Sequence, residues 1–141
     1  MAFVHGKNAV FKIDDSVGTL RTLTSYVEEV KGLPGGRELS EVTAFGDGGA
    51  KNIPGLQNVE FSISGHFDST ATTGPNAVLN SLRTATATAS FEYGPEGGST
   101  GNTKFSGECW LTEYTVDASV KEKVSFEASF QVDGTVTSGT F

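Results

Sequence analysis

Apolar and polar residues alternate along two segments of the chain, which is the pattern of strands with one buried face. In residues 59–68 the apolar row consists of Val59, Phe61, Ile63 and Phe67. In residues 123–133 it consists of Val124, Phe126, Ala128, Phe130 and Val132. Because successive side chains of a strand point to opposite faces, this spacing predicts antiparallel strands with one face in a core and the other in solvent.

Other segments have strand-like composition with less regular alternation. They are residues 9–13, 20–30, 37–45, 88–93 and 104–118, separated by turns rich in Gly, Pro, Asp and Asn. Within the last of them the apolar positions change parity, which predicts a β-bulge near Thr112 and Glu113.

One segment, residues 75–84, has the pattern of a short helix. Pro75 suits the first helical turn, and Val78, Leu79 and Leu82 share one face. The chain of 141 residues has the size of one domain. We therefore predict a single, mainly β domain: an antiparallel β-sandwich or barrel with one short flanking α-helix.

The polar faces of the predicted strands carry mostly hydroxyls and scattered acidic residues. The chain contains 17 Thr and 14 Ser. Edge strands commonly use Lys to prevent pairing with other edges, and little here opposes such pairing. The composition favours strands that pair with other copies of the chain, and the alternative is an ordinary soluble sandwich.

The charge balance excludes some classes of partner. Ten Lys and Arg residues stand against 17 Asp and Glu, which gives a formal net charge of −7. Tight nucleic-acid binding needs clustered cations, so we do not expect it. The apolar runs are too short for a membrane span, the first fifteen residues do not resemble a signal peptide, and Cys109 has no cysteine partner. These features predict folding in a reducing cytoplasm.

No combination of residues predicts catalysis. Gly97-Gly98-Ser99-Thr100-Gly101 matches the G-x-S-x-G pattern of hydrolases, but that motif needs a following helix and a later histidine. Both histidines, His5 and His66, precede it, so a hairpin loop is the favoured interpretation. Two histidines and one cysteine do not form a metal-binding set. We expect no catalytic, metal-binding or cofactor-binding residues.

The segment 45–57 is the strongest candidate for a functional surface. It lacks periodic structure, and connections of this length in compact domains are often functional or ordered only against a partner. Its apolar residues Phe45, Ile53 and Leu56 would gain from burial. The alternative is a loop that folds back onto its own domain.

Three short motifs in this part of the chain resemble those of bacteriophage major tail proteins, the tube subunits of long-tailed phages. In order, they are Val42-Thr43-Ala44-Phe45-Gly46-Asp47, then Ile53-Pro54-Gly55-Leu56, then Phe61-Ser62-Ile63-Ser64-Gly65-His66-Phe67-Asp68. The predicted helix and the closing strand fit the same plan, so the resemblance extends over the whole chain.

The resemblance implies a tail tube fold and a structural role in the virion. Hexameric rings, in which one sheet of each copy joins a continuous barrel around a channel, would stack into a hollow tube that conducts DNA into the host. The long loop would make the contacts between rings through Phe45, Gly46, Asp47, Lys51, Ile53, Pro54 and Leu56. An N-terminal arm, residues 1–8, and a C-terminal tail, residues 134–141, are further candidates.

The implied partners are other copies of the chain, a tape-measure protein, the tail tip or baseplate, and a tail-terminator protein. Assembly would take place in the bacterial cytoplasm. DNA would pass without specific binding, because an acidic channel wall repels phosphates. Candidates for that wall, chosen from polar strand positions, are Glu41, Glu60, Asp68, Glu127 and Asp133. The alternative for each is an outer, solvent-facing position.

Two other functions stay open at this stage. A tail-terminator or baseplate protein on the same scaffold would form one ring that does not stack. A secreted glycan-binding sandwich is the third candidate. The lone cysteine, the lack of a signal-like segment and the single tryptophan, Trp110, count against it, because a sugar platform normally clusters aromatic residues.

Overall fold

A computed structural model describes residues 3–141 and contains nine strands and one α-helix in that range. A 3₁₀ turn at Gly6–Asn8 precedes the first strand. The strands are β1 (Val10–Asp14), β2 (Leu20–Thr22), β3 (Val27–Lys31), β4 (Arg37–Glu41), β5 (Asn52–Gln57), β6 (Glu60–His66), β7 (Ala89–Gly94), β8 (Thr103–Ser119) and β9 (Glu122–Thr140). The helix α1 (Pro75–Leu82) lies between β6 and β7.

Seven strands form one antiparallel sheet in the order β2-β1-β7-β8-β9-β6-β3, and β4 and β5 pair separately. The large sheet curls round on itself. The ring of Phe61 in β6 lies 4.8 Å from that of Phe91 in β7 and 6.2 Å from that of Phe11 in β1, measured between centroids. Since two strands separate β6 from β7 in the sheet, only curling brings these rings together. The mainly β, sandwich-like fold is confirmed.

The connection between β2 and β3 bridges the two ends of the curled sheet. The backbone N–H of Leu23 donates to the carbonyl of Phe11 at one end, and the carbonyl of Tyr26 accepts from His66 at the other. Leu23 is completely buried. The predicted strand 20–30 is therefore wrong at its centre, because the chain leaves one strand there and crosses to the opposite end of the sheet.

The core fills the inside of the curl and consists of apolar side chains; in residues 3–141 no polar or charged residue is buried. Helix α1 covers one side through Val78, Leu79 and Leu82, and the hydroxyl of Tyr114 in β8 donates to Asn76 Oδ1 at 3.0 Å. Pro75 is also buried, and the remaining buried hydrophobic residues are Phe11, Ile13, Leu23, Val59, Phe61, Ile63, Ala89, Phe91, Cys109, Phe126, Ala128, Phe130 and Val132.

The predicted helix, the two alternating strands and the bulge are confirmed. The β8–β9 register shifts between Leu111 and Glu113, as the parity change indicated. At the ends of the alternating rows, however, Phe67 is only partly buried and Val124 is exposed. Alternation predicted the direction of these side chains, but nothing covers them completely.

Two connecting segments differ from their predictions. Residues 52–57 were expected in a loop but form β5, while β4 ends at Glu41 rather than at residue 45. Residues 134–140 do not form a separate tail; they continue β9 and pair with the start of β8, as in Thr103 opposite Thr140. Residues 3–8 of the predicted N-terminal arm are exposed, and residues 1–2 lie outside the described part.

Candidate interaction surface

The strands β4 and β5 form a hairpin that stands apart from the main sheet; we call residues 37–57 the arm. The register places Leu39 opposite Pro54 and Glu41 opposite Asn52. Every residue of both strands is exposed, so neither face of the hairpin is covered by the other described residues, 3–36 and 58–141. Because a two-stranded hairpin alone is marginally stable in water, the arm is suited to packing against another molecule.

The arm exposes large apolar side chains on both of its strands and on its turn. Phe45 at the turn is fully exposed and Leu56 of β5 is 83% exposed. Leu39, Val42 and Ile53 are also largely exposed. Such a concentration of exposed apolar side chains in one segment indicates an interaction site rather than an ordinary solvent face.

The turn of the arm is ordered by its own side chains. The carboxylate of Asp47 accepts from the backbone N–H of Ala44 at 2.7 Å and lies 3.0 Å from Lys51 Nζ. The Ala44 hydrogen bond, followed by the one from Lys51, lowers the pKa of Asp47 below its ordinary value. Gly46 has a φ of 90°, which favours glycine. Gly46 and Asp47 therefore build the turn that presents Phe45 to solvent.

Side-chain hydrogen bonds join the base of the arm to the main sheet. Gln131 of β9 donates from Nε2 to Asn58 Oδ1 at 2.8 Å, and Asn58 donates to Glu38 Oε1 at 3.2 Å. The side-chain oxygen of Gln57 accepts from the backbone of Val136 at 3.2 Å. These contacts fix the point at which the arm leaves the sheet, at the end of β6 where Glu60 lies.

All seven residues predicted for the contact between rings lie in the arm: Phe45, Gly46, Asp47, Lys51, Ile53, Pro54 and Leu56. Sequence reasoning missed Leu39 and Val42, which add to the exposed apolar side chains of the arm. Both lie in the predicted strand 37–45, and only segment 45–57 was assigned to the contact. Leu39 and Val42 are three positions apart, so alternation in a strand places them on opposite faces. This spacing was the available signal, because a strand with only one buried face would carry both apolar residues on the same side.

The five acidic residues proposed for a channel wall do not share one surface. Glu60, Glu127 and Asp133 lie on the outward face of β6 and β9, opposite to the core. Glu41 ends β4 and accepts from the hydroxyl of Thr43 at 2.9 Å. Asp68 follows β6 and accepts from Thr70, whose side-chain and backbone hydrogen bonds lower the pKa of Asp68.

The outward face of β6, β8 and β9 is rich in carboxylates and hydroxyls. In the register, Asp133 lies opposite Glu108, Ser129 opposite Glu113, and Ser125 opposite Asp117. The predicted bulge reverses the parity of β8 and so places Glu113 and Asp117 on this face, although neither was among the candidates for the channel wall. Further residues of this face are Ser62, Ser64, Trp110, Thr115 and Gln131.

Both terminal strands of the curled sheet have an open edge within residues 3–141. There β2 pairs only with β1, and β3 pairs only with β6. Such edges carry backbone groups that can pair with a strand of another chain.

Sites for other chemistry are not evident in the described residues. Gly97 to Gly101 lie in the connection between β7 and β8, so the favoured hairpin-loop interpretation is confirmed. The Cys109 thiol is buried, and burial raises its pKa far above the ordinary value. In residues 3–141 no group of three His, Cys, Asp or Glu side chains could hold a metal ion. No helix in that range is long and apolar enough to cross a membrane.

Neither a protein-family model nor a curated protein sequence matches the chain, but solved structures match it over nearly its whole length. A chain from the tail of an empty gene transfer agent particle, refined with C6 symmetry, is 16% identical with a TM-score of 0.73. That match covers 98% of this chain and all of the other.

Two chains from an extracellular contractile injection system are similar to the same extent. One comes from its sheath–tube complex in the extended state, with 12% identity, a TM-score of 0.69, and coverage of 99% of this chain and 93% of that one. The other comes from its sheath/tube terminator, with 13% identity, a TM-score of 0.70 and 99% coverage of both chains. The chain therefore has the fold of tail tube proteins and their relatives.

Proposed function

We propose that the chain is a structural subunit of a phage-like tail and forms rings that stack into a hollow tube. The observation that carries this proposal is the whole-length likeness of its fold to a chain from a gene transfer agent tail. The exposed apolar arm supports it independently, because an isolated copy leaves this surface in water.

The ring in this proposal contains six copies joined through the open edges of their sheets. The C6 symmetry of the gene transfer agent tail supports this number. When β2 and β3 pair with strands of neighbouring copies, the sheet has no unpaired edges. If the rotation from one copy to the next is one sixth of a turn, this head-to-tail contact closes into a ring of six copies.

Stacking of the rings uses the arm. Full burial of a side chain such as Phe45 or Leu56 contributes about 1.5–3 kcal/mol, so one arm seated in a neighbouring ring supplies a useful part of the contact energy. The charged pair of Asp47 and Lys51 stays at the edge of this contact, where it orders the turn.

The outward face of β6, β8 and β9 forms the channel wall in this proposal. Glu60, Glu127 and Asp133 repel the phosphates of passing DNA, together with Glu108 and Asp117 on the neighbouring strand. Serine and threonine hydroxyls between them offer no fixed cation for a phosphate. Glu41 and Asp68 lie off this face, so the channel proposal rests on the other three predicted residues.

The assembly partners are then a tape-measure protein, a tail tip or baseplate and a tail-terminator protein. The mature location is the tail of the virion, after assembly in the cytoplasm of the bacterial host. The role is structural, without catalysis and without specific DNA binding.

A second candidate is a tail-terminator ring. It is favoured by the TM-score of 0.70 to a chain of the sheath/tube terminator, which is close to that of the sheath–tube complex. Light scattering and negative-stain electron microscopy of the purified chain at rising concentration separate the two functions. Hollow tubes of uniform width support a tube subunit, rings that never stack support a terminator, and a monomer that persists even with a tail-initiation complex contradicts both.

A further inference from the structure

A second exposed apolar surface lies where β8 turns into β9. We call Val116, Val120 and Val124 the valine tip. Val120 is fully exposed, and the other two are 43% and 38% exposed. Val116 pairs in register with buried Phe126, so its side chain lies on the inward face of the sheet. The apolar inner face thus continues to the end of the β8–β9 hairpin, where the rest of the described chain does not cover it.

The valine tip and the arm lie at opposite ends of the sheet. The base of the arm is hydrogen-bonded near Gln131 and Val136 of β9. The valine tip lies at the other end of β9, beyond His66 and Ser125, which form the last residue pair between β6 and β9. At about 3.3 Å per residue, the nine steps from Glu122 to Gln131 span roughly 30 Å. One copy therefore exposes apolar side chains at both ends of the same strand.

We propose that the valine tip of one copy receives the arm of a copy in the next ring. This inference rests on the stacking function proposed above and names the surface that the arm contacts. Each copy contributes one arm and one tip, and the two surfaces differ. A contact between unlike surfaces leaves a free arm and a free tip after every addition, so it propagates as a filament instead of ending at a dimer.

The arm has one surplus negative charge, and the valine tip has one cation without an ion-pair partner in the described residues. The arm carries three carboxylates, Glu38, Glu41 and Asp47, against the cations Arg37 and Lys51. At the tip, Lys121 and Lys123 stand against Asp117 and Glu122; Lys123 forms an ion pair with Glu28, and Lys121 has no ion-pair partner among residues 3–141. Lys121 is thus positioned to meet a surplus carboxylate of the arm, and a charge pair of this kind favours the correct register of docking.

Cross-linking of assembled protein tests the contact directly. The full-length double variant Leu56→Cys with Val120→Cys is assembled and treated with a short bismaleimide. Cys109 is buried and contributes little background. We expect a ladder of covalent multimers well beyond dimers, because each copy is linked to one above and one below. In the control, Leu56→Cys with Val17→Cys, the second cysteine lies in the exposed β1–β2 turn, and we expect no ladder.

A charge substitution gives a second, independent measurement. Val120→Asp adds a carboxylate opposite the acidic arm, and we expect tube mass to fall at least tenfold while rings and the folded subunit persist. The same change at Val17, another exposed valine, should leave assembly unchanged. Two results would overturn the inference while the tube function stands. The first is normal tube growth with Val120→Asp. The second is the absence of a cross-linked ladder in tubes that combine Val120→Cys with each of the arm variants Phe45→Cys, Ile53→Cys and Leu56→Cys. Absence of tubes from the unmodified chain removes the function, and the inference with it.

Discussion

At the scale of single residues, two phenylalanines separate folding from assembly. Phe61 is buried, and its ring lies 4.8 Å from those of both Phe91 and Phe130. We expect Phe61→Ala to lower the free energy of unfolding by about 3–5 kcal/mol, because it leaves a cavity in the core. Urea denaturation followed by circular dichroism measures this loss.

Phe45→Ala is the matched control, because Phe45 is fully exposed. We expect it to leave the free energy of unfolding unchanged within about 0.5 kcal/mol and to reduce assembly. A large loss of stability from Phe45→Ala would show that the arm folds back onto its own domain.

Asp47 makes the turn of the arm sensitive to acid. Hydrogen bonds from Ala44 and Lys51 lower the pKa of its carboxyl in the folded state, so the stabilisation of the turn is present above the ordinary aspartate pKa. It is lost as the pH falls through the lowered pKa. We expect a carbon-13 NMR titration of the unassembled Phe45→Ala variant to give a midpoint for Asp47 below the ordinary value. A midpoint at or above that value would contradict the contacts described for this turn.

Residue patterns predicted the core better than the arm. Phe61, Ile63, Phe126 and Phe130 repeat every second residue, and this period alone assigns them to one buried face. The role of Asp47 had no such signal, because its hydrogen bond to Ala44 depends on the conformation of the turn. The motif that contains it indicated only a resemblance.

At the scale of structural elements, β5 is the part that local sequence did not reveal. Its residues Asn52–Gln57 contain a proline and a glycine and have no buried face, so no periodicity marks them as a strand. Pairing with β4 produces the strand, and that pairing is a long-range contact. The break between β2 and β3 was hidden for a different reason: buried Leu23 lies between Thr22 and Thr24, and the strand propensity of threonine extends the apparent strand.

The arm can be tested as one element. Replacing Ile53-Pro54-Gly55-Leu56 by a Gly/Ser sequence removes two exposed apolar side chains and no core residue. We expect the circular dichroism spectrum and the melting temperature to change little, and tube formation to be abolished in light scattering. Val17→Ser, which removes an exposed apolar side chain elsewhere, serves as the control. Normal tubes from the arm variant would show that the arm does not make the stacking contact.

At the scale of the whole molecule, the seven-stranded sheet has an apolar inner face and an acidic outer face. Apolar side chains are exposed near both of its ends, in the arm at one end and in the valine tip at the other. Sequence patterns predicted the inside and part of the outside. They could not place the arm and the valine tip at opposite ends, because that arrangement depends on the register of β6 and β9 along their full length. The bulge in β8, which the parity change predicted, decides which acidic residues join Glu127 on the outer face.

The acidic channel wall gives a prediction for DNA. Glu127 lies on the outward face between Ser64 and Thr115, and Glu127→Lys repeats a cation in every copy along the tube. We expect tubes of this variant to retain short DNA fragments in a sedimentation assay, with retention that falls steeply as salt rises. Ser99→Lys in the exposed β7–β8 loop is the control, and unmodified tubes should retain none. Equal retention by both variants would place Glu127 outside the channel.

The central claim is that copies of this chain stack as rings into a tube. The most direct measurement is a cryo-electron microscopy reconstruction of the particles formed by the purified full-length chain, seeded with a tail-initiation complex if it remains monomeric. The account predicts a hollow sixfold tube with the arm, residues 37–57, seated against the next ring and the outward face of β6, β8 and β9 lining the channel. Single particles that never stack, or a tube whose arms remain in solvent around a basic channel, would contradict it.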